Sequence, residues 1–154
     1  MTISTHTAIG ALLGGLVGGP IIGFFVGMLS HFLVDMIPHG DAKIGKEFHS
    51  KKKASKSGVA YVTIDAVSAI FILLVSFNLV DFDSRFVFTC TIAGSVLPDI
   101  LTGIHGLTKT KYLHWFVKLH FFFHDFFTSK YGDVRLRWAL AGQAIFILLL
   151  VRWM

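Results

Sequence analysis

Long apolar segments separated by short polar stretches run through the whole sequence of 154 residues. Hydrophobic residues make up 54% of the chain, and charged residues make up only 15%, against about 25% in an average soluble domain. The mean hydropathy is +0.70. This composition predicts an all-α polytopic membrane protein whose residues 1–154 form a single membrane-embedded domain.

The first apolar segment, about residues 5–37, is too long for one spanning helix. As a single helix from His6 to Ile37 it would measure about 48 Å, whereas a hydrocarbon core is about 30 Å thick. Gly18-Gly19-Pro20 is a strong break signal, so we predict a hairpin of two helices, Thr5 to Val17 and Pro20 to Ile37. Glycines at 10, 14, 18, 19, 23 and 27 are spaced so that these two helices can pack closely.

Two further hairpins bring the predicted total to about six helices. The second covers about residues 58–104 with a turn at 81–85, and the third covers about residues 112–154. The linker 40–57 holds six lysines against one aspartate and one glutamate, a net charge of +4, whereas the turn 81–85 holds two aspartates and one arginine. By the positive-inside rule the linker is cytoplasmic and the turn lies outside. Residues 1–19 lack a basic n-region, so we expect no cleaved signal peptide there.

Spacing from the two turns places four ionisable residues at one depth. His6 precedes the Gly18-Gly19 turn by 12 residues and His31 follows it by 12, so both lie about 18 Å from that turn in antiparallel helices. Asp65 and Asp99 lie 17 residues on either side of position 82. Both hairpins open toward the cytoplasmic linker, so we expect these four side chains in one layer near that membrane face.

The residue types in this layer favour a divalent metal. Asp35 follows His31 by four positions and therefore shares its helical face, and His120 and His124 repeat this spacing. Carboxylates combined with several histidines are typical ligands of zinc or another divalent metal. The candidate metal ligands are His6, His31, Asp35, Asp65, Asp99, His120 and His124. The single cysteine excludes a thiolate zinc site.

Each candidate also has a simpler interpretation. His31 and Asp35 are compatible with a structural hydrogen-bonded pair, and either Asp65 or Asp99 with an interhelical partner or a proton relay. The helix that carries His120 is compatible with an interfacial position. The lysine run 51–53 is typical of a topology signal or a contact with anionic lipid, so we expect membrane lipid and not nucleic acid as a partner.

Three sequence elements resemble the motifs of a known family. They are Thr5-His6 before a helix, Leu29-Ser30-His31-Phe32-Leu33-Val34-Asp35, and Leu97-Pro98-Asp99-Ile100. They are similar to motifs of the membrane-bound, metal-dependent hydrolases of the inner membrane, a family with a proposed kinship to zinc-dependent phospholipase C. The order of the two motif hairpins is reversed here. The family often continues with further Asp and His ligands after Leu-Pro-Asp; here His105, His120 or His124 are candidates to replace them.

The resemblance implies a hydrolase of a prokaryotic inner membrane with a divalent metal, expected to be zinc. The implied substrate is a phosphoester, such as a lipid head group, at the cytoplasmic interface. His39 and Asp41, just past the second helix, are the expected catalytic residues, as general base or as supporting groups. Two alternatives stay open: a metal or proton carrier that uses the same polar layer, and a structural or partner-binding membrane protein in which these residues only bridge helices.

Overall fold

The computed structural model describes residues 1–42, 44, 56–79 and 84–153, and no strand occurs among them. The prediction of an all-α fold is confirmed. Seven α-helices have described bounds: α1 Ile3–Gly14, α2 Pro20–Asp35, α3 Lys56–Leu79, α4 Arg85–Thr108, α5 His114–His124, α6 Phe126–Tyr131 and α7 Leu136–Trp153. A 3-10 turn, Lys111–Leu113, precedes α5.

The break predicted in the first apolar segment is present. α1 ends at Gly14, Gly19 is extended with φ −157° and ψ 146°, and Pro20 opens α2. Proline suits the first turn of a helix because its missing N–H would have no partner there. At the other end of α1, the Thr2 hydroxyl accepts a hydrogen bond from the backbone N–H of Thr5. The first hairpin therefore forms where the sequence predicts it.

α3 and α4 are the two arms of the predicted second hairpin, and each has 24 residues. The side chain of Ser84 caps α4 by accepting a hydrogen bond from the N–H of Val87. Most of the predicted turn 81–85 and most of the linker 40–57, with all of its lysines except Lys56, lie outside the described residues. The sidedness predicted from them stays a prediction.

The C-terminal region differs from the prediction of one helix over Tyr112–Phe127. The helix stops at His124, because Asp125 leaves the helical region with φ −90° and ψ 3°. Its carboxylate accepts a hydrogen bond from His124 Nδ1 at 2.9 Å. Aspartate disfavours a helix interior because its side chain competes for such local hydrogen bonds. A short helix, α6, follows and ends at Gly132, whose φ is +82°.

The central helix of the bundle is α4, which packs against both α1 and α2. A Cβ on Gly27 would lie 2.1 Å from the carbonyl oxygen of Thr91, and a Cβ on Gly94 would lie 2.0 Å from that of Phe24. α1 and α2 do pack against each other, as the sequence predicts, but most of the spaced glycines face α4. The glycines with α4 atoms at contact distance are Gly10, Gly14, Gly23 and Gly27, whereas Gly18 and Gly19 have nothing within 4 Å.

Three further helices, α3, α5 and α7, pack on this centre. α3 and α7 pack against α1, and α5 packs against α2 and α4. Gln143 on α7 accepts hydrogen bonds from the N–H and the hydroxyl of Thr2, at 2.9 and 2.8 Å. The arms of the predicted third hairpin thus pack on different neighbours, and α5 brings its histidines to α2 and α4.

Two helices, α3 and α4, are long and apolar enough to cross a membrane, with mean hydropathies of 2.2 and 1.5 in their most apolar windows. In α3 only 22% of that window is buried within the protein. α2 is a shorter apolar helix that also exposes large side chains, such as Ile21 at 72% and Phe25 at 56%. The prediction that all three hairpins lie in a membrane stays a prediction.

Candidate metal centre

Eight histidine and aspartate side chains meet where α1, α2, α4 and α5 come together. They are His6, His31, Asp35, His39, Asp41, Asp99, His120 and His124. All are buried except Asp41 and Asp99, whose side chains are each 18% exposed. The cluster brings together side chains that are far apart in the sequence, as the hairpin spacing predicts for His6, His31 and Asp99.

Four of these residues form a compact first group that could hold a metal ion: His31, Asp35, Asp99 and His120. His31 Nε2 lies 3.9 Å from Asp35 Oδ2 and 3.8 Å from Asp99 Oδ1. His120 Nε2 lies 3.6 Å and 3.8 Å from the same two oxygens. Donor atoms of a tetrahedral zinc site are about 3.3 Å apart, given metal–ligand distances of about 2.0–2.1 Å. The four His–Asp separations are therefore within about 0.6 Å of this value, and all the donor atoms of the group lie within 4.8 Å of one another.

Hydrogen bonds at the outer edge of the cluster orient three histidine rings. Nδ1 of His31 donates to the carbonyl oxygen of Ser95 at 2.8 Å, and Nδ1 of His39 donates to that of Ile37 at 2.6 Å. Nδ1 of His124 donates to the carboxylate of Asp125 at 2.9 Å. Each bond turns Nε2 toward the cluster, an arrangement common among metal-binding histidines.

Several buried polar atoms in the first group have no hydrogen-bond partner in the described part of the chain. They are His120 Nδ1 and three atoms that could ligate a metal: His31 Nε2, Asp35 Oδ2 and Asp99 Oδ2. A buried polar atom without a partner costs about 1–3 kcal/mol, and more when it carries charge. A cation between these atoms would remove that cost, and it would also reduce the repulsion between the two carboxylates.

A second group that could hold a metal ion consists of Asp35, His39 and His124, with Asp41 beside it. The Nε2 atoms of His39 and His124 are 3.1 Å apart. Asp41 Oδ1 lies 2.9 Å from the first of them and 3.2 Å from the second. The amino group of Met1 contacts Asp35 and donates to His39 Nε2 at 2.6 Å, so the structure already places a positive charge here.

The electrostatics of the α5 histidines differ between the two groups. Burial lowers the pKa of His120 to about 4, so its imidazole is neutral at pH 7, which is the form that binds a metal. Burial alone would also lower the pKa of His124, but the hydrogen bond to Asp41 and the charges of Asp35 and Asp41 together outweigh burial and raise that pKa to about 9. The same bond, against the effect of burial, holds the pKa of Asp41 well below its usual range.

Asp65 does not join these groups among the described contacts, although the sequence predicts it as a ligand. Its carboxylate accepts hydrogen bonds from Ile3 N at 2.7 Å, Ser4 N at 3.0 Å and Ser4 Oγ at 2.6 Å. These groups lie at the start of α1, where the first N–H groups of a helix have no partner within the helix. The observed geometry of Asp65 is therefore that of a cap supplied by α3.

Two other candidates lie beside the compact groups or away from them. The ring of His6 stacks on His31 with centroids 4.0 Å apart, and its Nε2 is 3.5 Å from Asp35 Oδ1. His105, a possible replacement ligand, lies against His114 with ring centroids 5.9 Å apart. The structure thus places His6 at the edge of the cluster, while His105 pairs near the end of α4.

The supporting groups around His39 are not evident from the sequence. Gly40 has φ +83°, and a Cβ there would lie 2.6 Å from Leu136 Cα. The backbone N–H groups of Gly40 and Ala42 donate to the carboxylate of Asp133 at 2.8 and 3.2 Å. These bonds fix the segment that carries His39 and Asp41, and only the glycine in Pro38-His39-Gly40-Asp41 signals the tight turn.

A cavity of about 250 Å³ lies next to the cluster. The ionisable side chains on its polar side are Asp41, Asp65, Asp99, His120 and His124. Tyr61 and Val62 of α3, Ile100 of α4 and Phe121 of α5 contribute largely apolar walls. The cavity therefore offers room for a molecule with a polar group at the cluster and an apolar part beside it.

Comparison with known proteins finds no family model, no curated protein and no solved structure that matches the chain.

Proposed function

We propose that this chain is a membrane-embedded, metal-dependent hydrolase that acts on a phosphoester. The observation that carries the proposal is the first group, in which two histidines and two carboxylates converge with unpartnered buried atoms. Ligand sets of histidine and carboxylate are typical of catalytic zinc, and the family resemblance of the motifs around His31 and Asp99 points in the same direction.

The large apolar side chains on the outside of the helices support a membrane location. Ile64 and Phe71 on α3 are each 67% exposed, and Leu148 on α7 is 70% exposed. Soluble monomers rarely expose apolar patches of more than a few hundred Å². In a bilayer the same side chains would contact lipid at no cost.

In this proposal the first group holds the metal and the adjacent cavity receives the substrate. A divalent ion there would lower the pKa of a water molecule and polarise the phosphoryl group. Asp99 and His120 are the ligands best placed to face the substrate, because both belong to the first group and to the cavity wall. Ser95 keeps the His31 ring in position through its carbonyl oxygen.

The test uses the full chain purified in detergent, loaded with zinc or manganese and assayed with bis(p-nitrophenyl) phosphate. His31→Ala and Asp99→Asn should each lower the hydrolysis rate by about 100-fold or more, because even outer groups of metal sites contribute 10–100-fold. His114→Ala, on an exposed position of α5, is the matched control and should retain the rate.

Two results would contradict the proposal. Metal-loaded protein that hydrolyses neither this diester nor the corresponding monoester would remove the hydrolase assignment. Metal flux into liposomes without hydrolysis would instead favour the carrier.

Metal removal provides a second test that does not depend on activity. A ligand that binds only the folded state stabilises it by about 2.7 kcal/mol at 100 times its Kd. We therefore expect a chelator to lower the thermal midpoint of the wild-type protein in detergent. The thermal midpoint of His31→Ala should be lower than that of the wild type before chelation, and the chelator should change it little. An equal midpoint with and without chelator, together with no bound metal, would contradict the metal site.

A further inference from the structure

The two oxygens of Asp35 face different groups of side chains. Oδ2 lies 3.6 Å from His120 Nε2 and 3.9 Å from His31 Nε2. Oδ1 lies 3.8 Å from His39 Nε2 and also contacts the amino group of Met1. One carboxylate thus stands between both groups, which is the position of a bridging ligand.

The second group has the geometry of a ligand set in its own right. The His39 Nε2, His124 Nε2 and Asp41 Oδ1 atoms are 2.9 to 3.2 Å apart. This spacing is close to the separation of about 3.3 Å between donors in a tetrahedral zinc site. Both histidine rings are anchored through Nδ1, so their Nε2 atoms point to a common position.

Two further observations favour a cation at that position. His39 and His124 are buried, and the amino group of Met1 already donates a hydrogen bond to His39 Nε2 there. The turn that carries His39 and Asp41 is fixed by the backbone bonds of Gly40 and Ala42 to Asp133. Pre-positioned donors of this kind reduce the ordering cost of binding an ion.

We propose that the centre is dinuclear and that Asp35 bridges two metal ions. The first ion is held by His31, Asp99, His120 and Asp35 Oδ2. The second is held by His39, Asp41, His124 and Asp35 Oδ1, and it takes the place of the Met1 amino group at His39 Nε2 and of the proton between His124 Nε2 and Asp41. Two-metal hydrolytic sites hold their ions about 3.5–4 Å apart, a separation that one bridging carboxylate can span.

This inference rests on the proposed function in one respect: both place a metal ion in the first group. It gives His39 and Asp41 a different role from the general base expected from the sequence, because both would be ligands of the second ion. It also explains why His39, which is not part of the first group, has its Nε2 atom 3.8 Å from Asp35 Oδ1.

The experiment measures metal content and magnetic coupling of the full chain in detergent, after chelation and reloading with Mn²⁺. The wild-type protein should bind two ions per chain and give the spectrum of a spin-coupled pair, as expected for a two-metal site. His39→Ala and the milder His39→Gln should each bind one ion per chain and give the spectrum of an isolated ion. His114→Ala, the control, should match the wild type.

Each outcome has a definite meaning. One ion per chain in the wild type, or two ions without coupling, would overturn the dinuclear centre. Two ions retained in both His39 variants would overturn this ligand assignment. Two coupled ions without hydrolysis would leave the dinuclear centre standing and remove the hydrolase proposal, whereas hydrolysis with a single ion would do the reverse. Because the wild-type spectrum alone is decisive, the test survives if a variant fails to fold.

Discussion

At the scale of single residues, the orientation of three histidine rings in the cluster depends on a hydrogen-bond partner at the outer edge. The carbonyl oxygen of Ser95 orients the His31 ring, and the carboxylate of Asp125 orients the His124 ring. Asp125 is also the residue at which α5 ends. Asp65 is the contrasting case, because the described contacts of its carboxylate go to the start of α1. Asp65 and Asp99, two aspartates predicted to lie at one depth, therefore have different roles: Asp65 caps α1, and Asp99 belongs to the candidate metal group.

Asp65→Ala tests this division of roles. The substitution removes three hydrogen bonds at the N-terminus of α1, and loss of a helix cap costs about 0.5–2 kcal/mol. We expect a lower thermal midpoint with an unchanged number of bound metal ions, measured by elemental analysis of the folded fraction. Asp99→Asn is the comparison and should lose metal. Loss of metal from Asp65→Ala at the wild-type midpoint would instead restore Asp65 as a ligand.

The sequence could predict how far along the helix axes these residues lie, but not which partners their side chains contact. Equal distance from the Gly18-Gly19 break was enough to place His6 and His31 beside each other, since both helices rise by the same amount per residue. The same reasoning could not reveal that Asp65 reaches the first N–H groups of α1, because that contact depends on how two hairpins pack. The connection of His39 to His124 was hidden for the same reason.

At the scale of helices, the close approach of α2 and α4 positions the first metal group. Gly27 lies one turn before His31, and Gly94 lies five residues before Asp99. The contact between these helices is made by backbone atoms, as the short distances from Gly27 and Gly94 indicate. The sequence correctly predicted that small residues allow close helix packing. That α2 makes this contact with α4 became clear only from the fold.

Gly94→Ala should separate these two helices and so disturb the metal group. The new Cβ would lie 2.0 Å from the carbonyl oxygen of Phe24, which cannot move without its helix. We expect weaker metal binding, measured by titration, and a lower thermal midpoint. Gly103→Ala on the same helix is the matched control, since nothing lies within 4 Å of its Cβ. Alanine there should be neutral or stabilising by about 1 kcal/mol. Equal metal affinity in the two variants would show that the close approach does not position the ligands.

At the scale of the whole molecule, the cluster lies toward one end of the bundle. α1 begins there with His6 in its first turns, α2 ends there with Asp35, and the segment after α2 leads into the basic linker 40–57. Asp65 and Asp99 each lie 14 residues from the helix ends that flank the turn between α3 and α4, and 9 residues from the other ends of those helices. The side of the membrane on which the linker lies therefore decides where the metal centre faces.

Reporter fusions can determine this orientation. A reporter inserted near Ser50 falls in the lysine-rich linker, and one inserted near Asp83 falls in the acidic turn; both positions lie outside the described residues. Since lysines are retained on the cytoplasmic side, the first should report a cytoplasmic location and the second an external one. The protein should also stay in the membrane fraction after alkaline carbonate extraction, because α3 and α4 are long and apolar enough to cross the bilayer. The reverse pattern would place the metal centre on the outer face, and two reporters on one side would mean that α3 does not span. Release as a soluble monomer would contradict the membrane location, while the geometry of the histidine and aspartate cluster would still stand.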